Sequence, residues 1–191
     1  AEVIRMQTVG FTRMADGTVE DYELLAEREQ QYERMLPGRL IAAVKALEYS
    51  FGGYQVTRYE HSLQSASRAQ RDGRSEEYVA AALLHDIGDE LAPYTHGEMV
   101  AAILKPYVEP RICWIVGHHG VFQMFHYARQ TGEDPDARER YRGHEWFEDC
   151  AEFCEIFDQN CFDPAYESLP IEFFEPIIGR VFAGPRYLGR A

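Results

Sequence analysis

Apolar residues recur at spacings of three and four along most of the chain, while the alternation that marks half-buried strands is nearly absent. The pattern predicts an all-α fold. "TVEDYELLAEREQQYERM" opens on Thr18 with Asp21 three residues on, the two halves of a capping box, and its pattern stops before Pro37-Gly38, so a helix is expected over about 19–35. "RLIAAVKALEYS" predicts a second helix, closed by Gly52-Gly53, and "RYEHSLQSASRAQRDG" a third that ends at Gly73. Ser75 caps a fourth, "EEYVAAALLHDI", and "THGEMVAAILKPYV" and "PRICWIVGHHGVFQMFHYARQ" give two more. The polar stretch "TGEDPDARERYRGH" reads as a surface loop, after which "EWFEDCAEFCEIFDQN" predicts a long helix and "PIEFFEPIIGRVF" a last one. With no internal repeat, linker or low-complexity segment, one domain is expected over residues 1–191.

Composition narrows the partners. The chain carries 32 acidic against 19 basic residues, a net charge of -13 spread along its length, which repels polyanions and argues against a nucleic-acid partner. No apolar run approaches the roughly 20 residues needed to span a bilayer, and "AEVIRMQTVGFTRMADG" lacks a signal-peptide core, so a cytoplasmic location without a membrane partner is expected. Cys113, Cys150, Cys154 and Cys161 form no C-x-x-C pair and are read as reduced structural thiols.

The chemistry lies in an ordered series: His61, His85-Asp86, His96, His118 and Asp158. Each falls on or at the end of a predicted helix, and a bundle can aim such side chains inward onto one point. Any one of these histidines alone would be read as a core residue satisfied by a carbonyl. The set points to a metal centre, and imidazole with carboxylate but no thiolate suits iron, manganese or zinc.

These residues resemble the HD-domain superfamily of helical metalloproteins, whose pattern is a histidine, a His-Asp pair and a final aspartate, with two further histidines in its two-metal version. "EHSLQSA" supplies His61, "LLHDIG" the pair 24 residues later, "HGEMVAAIL" His96, "IVGHHG" His118 and "EIFDQN" Asp158. The likeness implies an HD-type helical bundle with a dinuclear site at its centre, a metal-ligand core at about 51–160 and terminal helices packed on it. It implies one metal held by His61, His85, Asp86 and Asp158 and a second by His96 and His118, with Asp86 bridging. A one-metal version would leave His96 and His118 unassigned. Three or four protein ligands leave positions open for water, dioxygen or substrate, which means catalysis. Adjacent helical residues point about 100° apart, so only one of His118 and His119 faces the metals. The position within "IVGH" favours His118, leaving His119 to substrate or proton transfer.

"FGGYQVTR" and "YEHSLQSA" are similar to the oxygenase branch that includes myo-inositol oxygenase and the phosphonate-cleaving HD-domain oxygenases. That likeness implies two iron ions as a mixed-valent Fe(II)/Fe(III) pair, dioxygen, a small hydroxylated substrate (a polyol, amino alcohol or hydroxyphosphonate-like molecule) and no organic cofactor. The chain departs from the phosphonate enzymes where they place a tyrosine and a glutamate before the first histidine; Phe51 and Tyr54 stand there, which leaves Tyr54 as the tyrosine for the site. Asp89 stands where the branch has a base, and a carboxylate there suits a hydroxyl or ammonium better than an anion. Phe122 replaces a phosphonate-side lysine. Asp86, Asp89 and Tyr54 are therefore the expected catalytic residues, and Tyr54, Asp89, His119, Gln123, Arg142 and His144 the expected substrate contacts. Glu60 and Gln64 flank His61 as candidate imidazole orienters, and Asp163 reads as a turn residue beside Pro164.

Two other functions remain open at this level. A phosphohydrolase using manganese or zinc on a nucleotide or small phosphate ester needs basic residues at the site, and Arg58 and Lys105 are the nearest in sequence. A binding module sensing a metabolite through a retained metal site is the third.

Overall fold

Side-chain caps set the starts of three α-helices in the computed structural model, which describes residues 8–188. Thr18 accepts from the Asp21 backbone and Asp21 accepts from the Thr18 backbone, the predicted capping box of α1 (Val19–Glu33). The chain forms two compact units, the first running to Leu36 and the second starting at Pro37. In the first unit, Asp21 also accepts from the Gly10 backbone at 2.9 Å, and Phe11 stacks on Tyr22 with ring centroids 5.6 Å apart.

Pro37 and Gly38, expected to end a helix, instead lie in the first turn of α2 (Leu36–Ala46). Proline is tolerated there because a first-turn N–H has no partner within the helix to lose. The helices α3 (Arg58–Arg71), α4 (Glu76–Leu84), α5 (His96–Leu104), α6 (Pro110–Thr131), α7 (Phe147–Glu152) and α8 (Ile171–Val181) complete the set, and no strand occurs among the described residues. Ser75 caps α4 through the Tyr78 backbone, as expected, and α6 ends on Gly132, whose φ of +79° is the left-handed conformation that closes helices.

The core is built around α4, whose residues Tyr78 to Leu84 are all buried, so it reads as apolar on every side rather than along one stripe. Helix α3 packs along one flank of it and α8 along another, the latter with Ile171, Phe174, Ile177, Ile178 and Val181 turned inward. Helices α5 and α6 form the second pair. Two expectations change in detail. The stretch expected to be a loop contains a short 3-10 helix, Ala137–Tyr141, and the long helix expected from Glu145 is α7 followed by a π-helical segment, Phe153–Asp158. All four cysteines are free; Cys150, Cys154 and Cys161 are buried and Cys113 half-buried. No helix of the described residues is long and apolar enough to cross a membrane.

Candidate metal centre

Four helix ends and one helix interior converge on a single buried cluster. The capping box of α3 pairs Thr57 with Glu60, which starts the helix so that His61 falls in its first turn, wholly buried. His61 Nδ1 donates to the Cys161 carbonyl at 3.0 Å, leaving Nε2 to face the cluster. At the end of α4, His85 Nδ1 donates to the Ala82 carbonyl at 2.7 Å, and its Nε2 lies 3.1 Å from that of His61. The chain then turns sharply: a Cβ on Gly88 would sit 2.6 Å from the His96 carbonyl oxygen, so only glycine lets this turn pass against the start of α5. That approach brings His96 beside Asp86.

Asp86 divides its two oxygens. Oδ2 lies 3.2 Å from His61 Nε2 and 3.1 Å from His85 Nε2, whereas Oδ1 lies 3.6 Å from His96 Nε2 and 3.4 Å from His119 Nε2. His119 Nδ1 donates to Val116 at 2.6 Å, and its Nε2 is 3.1 Å from that of His96. Asp158 ends the π-helical segment and sets Oδ1 3.4 Å from His61 Nε2 and 3.8 Å from His85 Nε2. Single-turn π segments often mark functional sites.

The donor set fits metal ions. Three imidazoles spend their Nδ1 protons on backbone carbonyls, the arrangement metal-bound histidines use to fix their tautomer. Their Nε2 lone pairs then face carboxylates and one another, an array of acceptors that only cations can reconcile. Asp158 Oδ2 is buried without a partner. His61, His85 and Asp86 form one possible metal-binding group and Asp86, His96 and His119 another, with His85, His119 and Asp158 a third combination across them. The charges agree with the geometry. Burial disfavours a charged His85, yet the Asp86 charge and hydrogen bonds to Asp158 and Asp86 push it up to about 10. Burial likewise opposes the ionised carboxylates, but His85 and Arg58 hold Asp86 well below the usual range, and hydrogen bonds from His61 and His85 lower Asp158. A field that favours a proton here favours a metal ion in its place.

It is His119, not His118, that the structure brings to the cluster. His118 stacks on Trp114 at 4.2 Å and donates to its carbonyl, and burial lowers its affinity for a proton. The one-residue shift in α6 also changes what stands four residues further on. Beyond His119 this is Gln123, whose Nε2 donates to Asp158 Oδ1 at 3.0 Å, while Phe122 is a fully buried core residue. Asp89 is engaged by protein groups: Oδ2 accepts from Arg58 Nη2 at 3.0 Å and Nε at 3.2 Å, and Oδ1 lies 3.5 Å from His96 Nδ1. Tyr54 stacks on Phe162, which in turn stacks on His61, so it sits at the mouth rather than at the metal positions. Arg142 and His144 are not brought to the cluster. The former pairs with Glu139 and Glu148, and the latter stacks on Trp114 at 4.1 Å and accepts from the Trp146 backbone. Glu60 belongs to the capping box and Gln64 clamps Asp163 through both backbone polar groups, so neither orients an imidazole.

Sequence reasoning missed Arg58 as a member of the site. It hydrogen-bonds both Asp86 and Asp89, and its position three residues before His61, on the same face of α3, was the available signal. His126 was also missed; its Nε2 is buried without a partner and its ring borders a cleft of about 660 Å³ that opens onto Asp86, His96, His119 and Asp158.

Residues 58–142 match the family model of the HD domain, a span that holds Arg58, His61, His85, Asp86, His96 and His119 but stops short of Asp158. A search of the curated proteins finds no match. An HD domain implies a metal-dependent enzyme, and the His and Asp groups of the cluster could hold the metal.

Proposed function

We propose that this protein is a diiron oxygenase that converts a small hydroxylated molecule with dioxygen. The dinuclear reading rests on the way Asp86 turns one oxygen to His61 and His85 and the other to His96 and His119. The choice of reaction rests on one observation: Arg58 is the only Lys or Arg lining the cleft among the described residues, and Asp86 and Asp89 already neutralise it. A phosphate ester needs cations that are free to meet it. This cleft instead offers hydrogen-bonding groups, from Tyr54, Gln123, His126 and Tyr127, to a polyol or amino alcohol.

The first metal would be held by His61, His85, Asp86 and Asp158 and the second by Asp86, His96 and His119. Bound iron would supply activation of dioxygen and polarisation of the substrate hydroxyl. The chain's own residues then orient: Gln123 fixes Asp158 through an amide hydrogen bond, Arg58 fixes Asp86, and Asp89 fixes Arg58 and faces His96. Asp89 is thus a positioning residue, and it also lines the cleft in which it was expected to meet substrate.

Protein purified anaerobically with ferrous iron should hold two irons per chain, one for each ligand group, and show a mixed-valent signal in electron paramagnetic resonance. Oxygen uptake is then measured against polyols, amino alcohols and hydroxyphosphonates. Phosphate release from nucleotides with manganese or zinc, without oxygen uptake on any member of the panel, would decide for a phosphohydrolase.

A further inference from the structure

A second cavity, of about 1160 Å³, runs along α5 and α6 and shares Pro93, His96, Gly120 and Tyr127 with the metal cleft. It therefore adjoins the cleft, with His96 and Gly120 standing in the wall between the two. Its floor is made of small side chains, Ala101 and Ala102 from α5 and Gly117, Gly120 and Val121 from α6. A Cβ on Gly117 would lie 3.4 Å from that of Ala101, so the two helices meet closely along this floor. The far end is aromatic. Trp114, Tyr141 and Trp146 line it, with Trp114 stacked against the imidazoles of His118 and His144 at 4.2 Å and 4.1 Å. From Gly120 to Trp114 the groove follows α6 for about 9 Å, at 1.5 Å per residue. Its charges cancel: Lys105 and Arg140 stand against Glu98 and Glu133, all four exposed.

We propose that this groove is a substrate subsite, and that the substrate carries, beyond the hydroxylated end at the metals, an uncharged apolar arm that lies on the small-residue floor and reaches Trp114. The assignment of the hydroxylated end rests on the proposed function; that of the arm rests on the groove alone. Its place beside the cleft, with four lining residues common to both, assigns the occupant to the same molecule, and the balanced charge gives the groove no net attraction for an ionic arm. A short polyol would leave the groove empty and its aromatic end without a role. The substrate class is therefore a hydroxylated amphiphile.

The chain's only two tryptophans, Trp114 and Trp146, both line this groove, so its occupancy can be read from intrinsic fluorescence. The probe is a series of 1,2-alkanediols from about four to ten carbons, titrated into the iron-loaded protein; burying each added methylene at about 0.8 kcal/mol should tighten binding about fourfold until the arm spans the floor. Tryptophan emission should change with the longer members and not with the shortest. Val121→Phe and, independently, Ala102→Leu should flatten the length dependence, with helical circular dichroism and metal content checking that each variant is folded. Affinity that does not depend on chain length would overturn the proposal. So would length dependence with no change in tryptophan emission. Self-association abolished by Val121→Phe, without length-dependent diol binding, would reassign the groove to a second copy of the chain. Oxygen uptake separates the two ideas: length-dependent binding without uptake from any hydroxylated compound sinks the oxygenase and keeps the groove, and uptake without length dependence does the reverse.

Discussion

Replacing Arg58 with glutamine tests whether the arginine acts as a counter-charge for the same carboxylate that the metals use. Arg58 and Asp89 side chains are each 10% exposed and that of Asp86 is 3%, so solvent screens these pairs weakly. Burial opposes the charge on Arg58, yet Asp86, Asp89 and Asp158 raise its proton affinity above the ordinary value, so the cation is held firmly. In the metal-free protein the substitution leaves Asp86 and Asp89 without their arginine, and removing one partner of a buried pair costs about 3–5 kcal/mol. For a domain of this size that is a fall in Tm of roughly 6–20 °C, at about 2–4 °C per kcal/mol. With metal bound, Asp86 has a second source of positive charge and only Asp89 is left uncompensated, so the loss must be smaller. The rise in Tm on adding metal should therefore be larger in Arg58→Gln than in the parent. Thermal melts of both proteins, with and without manganese or anaerobic ferrous iron, measure the two increments. Equal increments, or a variant that no longer takes up metal, would refute the idea that Arg58 balances the charge a metal balances when present.

His119→Ala should remove the ion held with His96 and halve the metal content, whereas His118→Ala should keep both ions, as metal analysis of the two purified variants will show. Gly88→Ala places a methyl 2.6 Å from the His96 carbonyl oxygen and must push the start of α5 away; a loss of about 1–3 kcal/mol is expected from overpacking, with weakened binding of the His96 ion in a metal titration. Phe122→Ala empties a fully buried site between Trp114 and Phe147, and chemical denaturation should show a loss of about 3–5 kcal/mol.

What could be read from the chain was what depends on neighbours in sequence. Thr18, Thr57 and Ser75 bond to backbone groups three residues on, so α1, α3 and α4 begin where local chemistry starts them, and the residue types of the cluster were visible because each ligand stands on or beside a helix. The π-helical segment depends on packing, and no residue pattern announces it. The choice between His118 and His119 is of the same kind. Both lie on α6, and the one that faces Asp86 is decided by the rotation of that helix about its own axis. The rotation is set across the α5–α6 contact, where a Cβ on Gly97 would lie 2.6 Å from the Val116 carbonyl oxygen and 3.2 Å from His119 Nδ1. Glycine there lets α5 settle against the turn of α6 that carries His119, and His96, one residue earlier, meets it. The same rotation turns Gln123 toward Asp158 and Phe122 into the core. The position that seemed to set a bare ring against the substrate therefore presents an amide, whose Oε1 is buried without a partner and can accept from a substrate hydroxyl or ammonium. A single glycine on α5 thus bears on the ligand set of the second metal and on the polarity of the cleft beside it.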